Sequence, residues 1–135
     1  MTKSKILVVD NDKDMCWLIA SILREEGLSV DIAHDGKTAL AKVSHHRYAV
    51  MILDYKLYGM SGLTVLEKTH QARLPITIIM ISAFGNGNVI AKAKDFGAYA
   101  FLDKPFDINV LKKTVKRALA KQKSINMKLL RDKKV

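Results

Sequence analysis

Apolar residues follow two alternating rhythms along this chain. Five short runs, KILVV, LSVDIA, YAVMIL, PITIIMI and AYAFL, are rich in β-branched side chains. The first, third and fourth are almost continuously apolar, the pattern of strands covered on both faces. LSVDIA alternates instead, as an edge strand does. Between the runs the apolar spacing is helical. Met15, Leu18, Ile19, Ile22 and Leu23 predict a helix from about Lys13 to Glu26, stopped by Gly27. Further helices are predicted from about Gly36 to Ser44, Leu63 to Ala72 and Asn88 to Phe96, the last stopped by Gly97. A final helix starts at Asp107, a good N-cap, and can run nearly to the C-terminus. Cys16 and Trp17 fall on the first helix and read as packing residues.

Strict alternation of strand and helix predicts an α/β, doubly wound parallel sheet with helices on both faces. Ligands bind such sheets beyond the carboxyl ends of the strands. The residues at those ends are Asp10, Asn11 and Asp12, then Asp54, then Ser82 and Ala83, then Lys104 and Pro105. If the first and third strands are neighbours, Asp10, Asp12 and Asp54 converge. At about 4 Å and an effective dielectric near 20, each such pair repels by roughly 4 kcal/mol. Clustered acids persist because one keeps a proton or because a cation joins them. Hard oxygen ligands at a partly open site suit Mg²⁺, which completes its shell with water and phosphate oxygens. Lys104 adds a fixed positive charge and Ser82 a hydroxyl, a cradle for a phosphoryl group. Singly, each feature has a commoner role: an aspartate after a strand caps a turn or helix, and Lys-Pro makes a loop. Their coincidence at successive strand ends points to phosphoryl chemistry.

On these residues the chain resembles the receiver domain of two-component response regulators, over about residues 4 to 122. The resemblance rests on ILVVDND, on Asp54 with Gly62 eight residues later, on IIMISA ending in Ser82 and Ala83, and on FLDKPF. It implies a flavodoxin-like, five-stranded sheet of order 2-1-3-4-5. It further implies Asp54 as the phosphoacceptor, served by a sensor histidine kinase or a phosphotransfer protein. Asp10, Asn11, Asp54 and the Lys56 backbone carbonyl would hold Mg²⁺. Ser82 and Lys104 would contact the phosphoryl group, and Phe101 would change rotamer on activation, a switch with Ser82. Two positions depart from the family pattern. Asn11 stands where the family carries a metal-binding acid, and Tyr58 where it often carries proline.

Composition changes the picture mainly at the C-terminus. A length of 135 residues suits one domain. A single cysteine excludes an internal disulfide. No signal peptide or membrane-spanning segment is legible, and the location expected is cytoplasmic. The net charge of +10 is unevenly placed. Residues 1 to 111 hold thirteen Lys/Arg and twelve Asp/Glu, whereas residues 112 to 135 hold ten Lys/Arg and one acid. The basic tail reads either as a solvated helix face or as a contact for nucleic acid or a partner. Ile108, Val115, Gln122 and Leu129, with Leu111, Ala118 and Ile125, form a heptad seam with one polar interruption. The division expected is a receiver domain over residues 1–122 and a basic helical extension or linker over 123–135. The extension would form a homodimer or lead to an output domain. No helix-turn-helix pattern is present, so direct nucleic-acid binding is not expected. The four histidines form no site and read as surface or capping residues.

The function expected is a Mg²⁺-dependent switch controlled by phosphorylation, not an enzyme. An alternative, favoured by Asn11, is a receiver-like binding module that acts without phosphorylation. A third reading is a small haloacid-dehalogenase-like phosphatase, with Asp10 as nucleophile and Asp12 as general acid. That reading gives Asp54 no role.

Overall fold

The computed structural model describes residues 5–83 and 86–133. Ser4, where the resemblance begins, residues 84–85 of the loop containing GNGN, and the last two residues of the tail lie outside them. The elements in order are β1 (Lys5–Val9), α1 (Lys13–Glu25), β2 (Ser29–Ala33), α2 (Gly36–His45) and β3 (Val50–Asp54). They continue as α3 (Gly62–Gln71), β4 (Thr77–Ser82), α4 (Gly87–Asp95), β5 (Ala100–Asp103) and α5 (Ile108–Lys133). All strand pairs are parallel, in the order β2-β1-β3-β4-β5. LSVDIA is an edge strand, as its alternation predicts.

Successive strand residues point to opposite faces, and each face carries its own core. Ile6 and Val8 pack with Cys16, Ile19 and Leu23 of α1 and with Leu111, Val115 and Ala118 of α5. Leu7 and Val9 pack with Ala39 and Val43 of α2, Val65 and Leu66 of α3, and Ala93 of α4. The central strands β3 and β4 are buried along their whole length.

Local chemistry fixes the helix ends. Asp12, Asp35, Ser61 and Asn86 accept hydrogen bonds from backbone N–H groups in the first turns of α1 to α4. Asp107 does the same for α5, accepting from Asn109 and Val110. Gly27 and Gly97 follow α1 and α4 at positive φ, which a residue with a Cβ adopts only under strain.

Three expectations need correction. Asp12 does not converge on Asp10 and Asp54; it is exposed, and its carboxylate holds the N–H groups of Asp14 and Met15 at 3.0 and 3.2 Å. Trp17 is not a packing residue but is 69% exposed. The buried stripe of α1 runs through Cys16, Ile19, Ala20 and Leu23, which turns Trp17 and Leu18 outward. The heptad seam is largely intramolecular: Leu111, Val115, Ala118 and Gln122 are buried in the domain itself. Its polar interruption is a structural bond, because Gln122 Oε1 accepts from Thr77 Oγ1 at 2.8 Å.

Candidate functional site

The parallel register brings the predicted strand-end residues to one edge. Val9 pairs with Leu53, so Asp10 and Asp54 emerge side by side from β1 and β3. Asp54 pairs with Ile81 and Ser82 with Asp103, which carries the edge across to Lys104. A backbone bond from Lys104 N to Ser82 O, 2.9 Å long, pins the start of the last loop. Gly62 is required here by space. A Cβ on it would collide with the carbonyl oxygen of Asp54, and its N–H donates to Tyr55 O at 2.7 Å. The glycine eight residues after the aspartate therefore lets α3 start directly against the end of β3.

Asp10 and Asp54 are 2% and 6% exposed. Lys104 bridges them: its Nζ lies 2.8 Å from Asp10 Oδ2 and 3.3 Å from Asp54 Oδ2. The other Asp10 oxygen accepts the Asp12 N–H at 2.9 Å. Burial, then the neighbouring Asp10 carboxylate, raises the pKa of Asp54 to about 6, against a partial offset from Lys104. For Lys104, burial works against the charge, but the hydrogen bond and charge of Asp10, then Asp54, outweigh it and raise its pKa. One lysine thus faces two buried acids, and the cluster has an appetite for more positive charge.

Around it lies a cavity of about 380 Å³ whose lining includes Asp10, Asn11, Asp54, Lys56, Ala83 and Lys104. Asp12, Leu57 and Tyr58 complete the rim, and Tyr58 is exposed. Among the described residues no three Asp, Glu, His or Cys side chains gather as a metal-binding group. The reason is local. Position 11 is an amide, and the Asp12 carboxylate is turned to the helix start. Two carboxylates, an amide oxygen and a backbone carbonyl on an open cavity still fit Mg²⁺, which takes one or two carboxylates and keeps its waters. Ser82 is buried at the end of β4. Phe101 lies on β5, half-buried against the core that α2, α3 and α4 cover, and pairs in register with Met80.

One contact escapes a reading of the sequence. His34 Nδ1 and Cys16 Sγ each lie 3.2 Å from the carbonyl oxygen of Asp10, behind the site. Burial, then the charge of Asp10, pushes the Cys16 thiol up to about 11, so it stays protonated and unreactive. His34 follows β2 as Asp10 follows β1, one residue beyond the Val9–Ala33 pair. The strand order sets the two residues side by side, and the direction of the His34 ring makes the contact.

Known proteins match both sequence and geometry. Residues 6–116 match the response regulator receiver domain family. The nitrogen assimilation regulatory protein NtrX of Azorhizobium caulinodans is 36% identical over 116 residues, which is 84% of this chain and 26% of that protein. Sporulation initiation phosphotransferase F of Bacillus subtilis is 32% identical over 119 residues, covering 88% of this chain and 96% of that protein. A CheY-like receiver domain protein from Methanospirillum hungatei superposes with a TM-score of 0.88 at 29% identity, covering 91% and 98% of the two chains. The chain spans only 26–27% of the first curated relatives it matches, NtrX and the transcriptional regulatory protein ZraR of Salmonella.

Proposed function

Because the chain belongs to the response regulator receiver domain family, we propose that it is a signalling switch phosphorylated on Asp54 by a histidine kinase or a phosphotransfer protein. One observation carries this: two buried carboxylates at adjacent strand ends share a single lysine, 2.8 and 3.3 Å away. An ionised Asp54 oxygen attacks the donor's phosphorus, the bond to the donor breaks, and an aspartyl phosphate forms. Lys104 would pair with a phosphoryl oxygen, and the Ser82 hydroxyl would bond another. Asp10, Asn11, Asp54 and the Lys56 carbonyl would hold Mg²⁺, which supplies further positive charge beside the transferring oxygens. Phe101 would follow Ser82 and alter the surface made by α4, β5 and α5.

In this reading the protein is a cytoplasmic phosphoacceptor, not an enzyme that turns over an external substrate. Residues 1–122 make up the switch, and 123–135 form its basic helical extension. No helix among the described residues is long and apolar enough to cross a membrane. The dehalogenase-like phosphatase reading finds no support. It needs Asp12 as a general acid beside Asp10, and Asp12 caps α1 instead.

Intact mass after incubation with acetyl phosphate and Mg²⁺ is the test. Wild type gains one phosphoryl group and Asp54→Asn gains none. Equal labelling of the variant would remove Asp54 from the role. Asn11 favours a second reading, a binding module that needs no phosphorylation. An unlabelled wild-type chain under the same conditions would select it.

A further inference from the structure

α5 is 26 residues long, about 39 Å at 1.5 Å per residue. Its sheet-facing stripe ends at Gln122, and the next turns continue past the domain. Ile125 and Leu129 lie three and seven residues beyond Gln122, so they prolong the same stripe, with Leu130 at its margin. There the sheet no longer covers it: Leu129 is 44% and Leu130 60% exposed. The projecting turns are held in a fixed orientation. Gln122 Nε2 donates to Asn126 Oδ1 at 2.9 Å, while Gln122 Oε1 accepts from Thr77. A relay of amides and a hydroxyl thus ties the free end of the stripe to β4.

Charge decides what can cover it. From Ile108 to Arg131 the helix carries eight Lys/Arg and no acid. Lys112 and Lys116 are answered within the domain by Glu26, at 3.2 and 3.8 Å. Lys121 lies over the Tyr99 ring, 5.0 Å from its centroid. Lys123 and Lys128, which flank the uncovered stripe on its two sides, have no ion-pair partner among the described residues. A second copy of α5, in either direction, brings the same lysines and arginines and a single acid, Asp132, to meet them. That repulsion disfavours the homodimer expected from the heptad pattern. A lipid surface fits less well, because Asn126 sits inside the narrow apolar arc, where a protein partner could answer it with a hydrogen bond.

We infer that the end of α5 is a docking site for an acidic amphipathic helix of another protein. Apolar residues of that helix cover Ile125, Leu129 and Leu130, and its carboxylates meet Lys123 and Lys128. The site does not depend on phosphorylation of Asp54.

Fluorescence anisotropy on the full chain tests this with two designed three-heptad peptides. Both carry Leu and Ile at the seam positions; one has Glu and the other Lys at the flanking positions. The glutamate peptide binds at least about 30-fold more tightly, and added salt weakens it. Ile125→Glu with Leu129→Glu abolishes binding, while Lys123→Glu with Lys128→Glu reverses the preference between peptides. Both variants keep their helix content by circular dichroism and keep acetyl phosphate labelling. Equal affinity for the two peptides would overturn the proposal. So would tighter binding to phosphatidylserine vesicles than to the glutamate peptide, or a dimer of the chain alone at concentrations that saturate with peptide. Loss of Asp54 labelling in wild type would instead strike the switch reading and leave this site standing.

Discussion

Strand β4 carries a buried hydroxyl at each end, and the two ends are built differently. At its amino end Thr77 donates to Gln122, which donates to Asn126. The groups are neutral, and no buried side-chain N or O atom among the described residues lacks a partner. At its carboxyl end Ser82 lies next to the strand ends that carry Asp54 and Lys104, where two acids share one cation. The two hydroxyls, Gln122 and the two carboxylates are all buried, so exposure of these groups does not distinguish the ends. Charge balance does. A neutral, paired network fixes geometry and has nothing to gain from a ligand. A charged, incompletely balanced one is costly alone and can be relieved by a cation.

Removing charges at the carboxyl end should have the largest effect. Lys104→Met leaves Asp10 and Asp54 facing each other in a buried site. We expect a loss of about 3 kcal/mol at pH 7.5 in chelator. Asp54→Asn should do the reverse and stabilise the metal-free fold by about 1–2 kcal/mol at that pH. The pH dependence follows from Asp54 holding its proton more tightly when folded, near pH 6, than at its ordinary 3.8. Its contribution to stability is full below about pH 4, is lost as pH rises through 6, and stays lost above. The advantage of Asp54→Asn over wild type therefore disappears in acid. Urea titrations from pH 4 to 8 read this directly, and an asparagine variant no more stable than wild type at pH 7.5 would refute the stored repulsion.

At the amino end the expected effect is smaller and flat in pH. Gln122→Leu strands the Thr77 hydroxyl in the core and should cost about 2 kcal/mol. Adding Thr77→Val removes both partners and should recover most of that loss. If the double variant is as unstable as the single, the bond between them does not hold the helix to the strand.

The strand-end residues were legible because continuous apolar runs such as MIL and IIMI mark where a buried strand stops. Asp10, Asp54, Ser82 and Lys104 then need only a parallel sheet to meet. Local competition was harder to read. Asp12 had two options, the acid cluster or the free N–H groups of α1, and the nearer donors won. Trp17 was misplaced because helical spacing gives a stripe's width, but the sheet decides its phase. Gln122 shows the same limit at the tail. Repeats of 3.5 and 3.6 residues diverge too little over three turns to tell a helix–helix seam from a stripe against a sheet. The expected strand order set His34 beside Asp10, but the contact of its ring with the Asp10 carbonyl depends on a side-chain direction that no run of residues carries by itself.

Asn11 allows the finest test of how far the charged end is tuned, and its effect should be the smallest. An amide here spares the apo site a third carboxylate next to Asp10 and Asp54, but it offers a cation less. Asn11→Asp should therefore destabilise the metal-free fold by about 1 kcal/mol, because position 11 is half-buried and solvent screens part of the repulsion. The gross Coulomb gain toward Mg²⁺ is large, yet desolvation and crowding cancel most of it. A net of about 1–2 kcal/mol remains, roughly tenfold in affinity. Asp12 offers wild type little compensation, since turning inward would cost it the α1 cap, itself worth about 1 kcal/mol. Calorimetric titration with Mg²⁺ and thermal melts in chelator separate the two halves. Tighter binding together with a less stable apo fold would mean that this chain trades metal affinity for a quieter resting state. If the variant binds Mg²⁺ no better than wild type, position 11 does not reach the metal, and the amide there reflects the β1–α1 turn rather than the site.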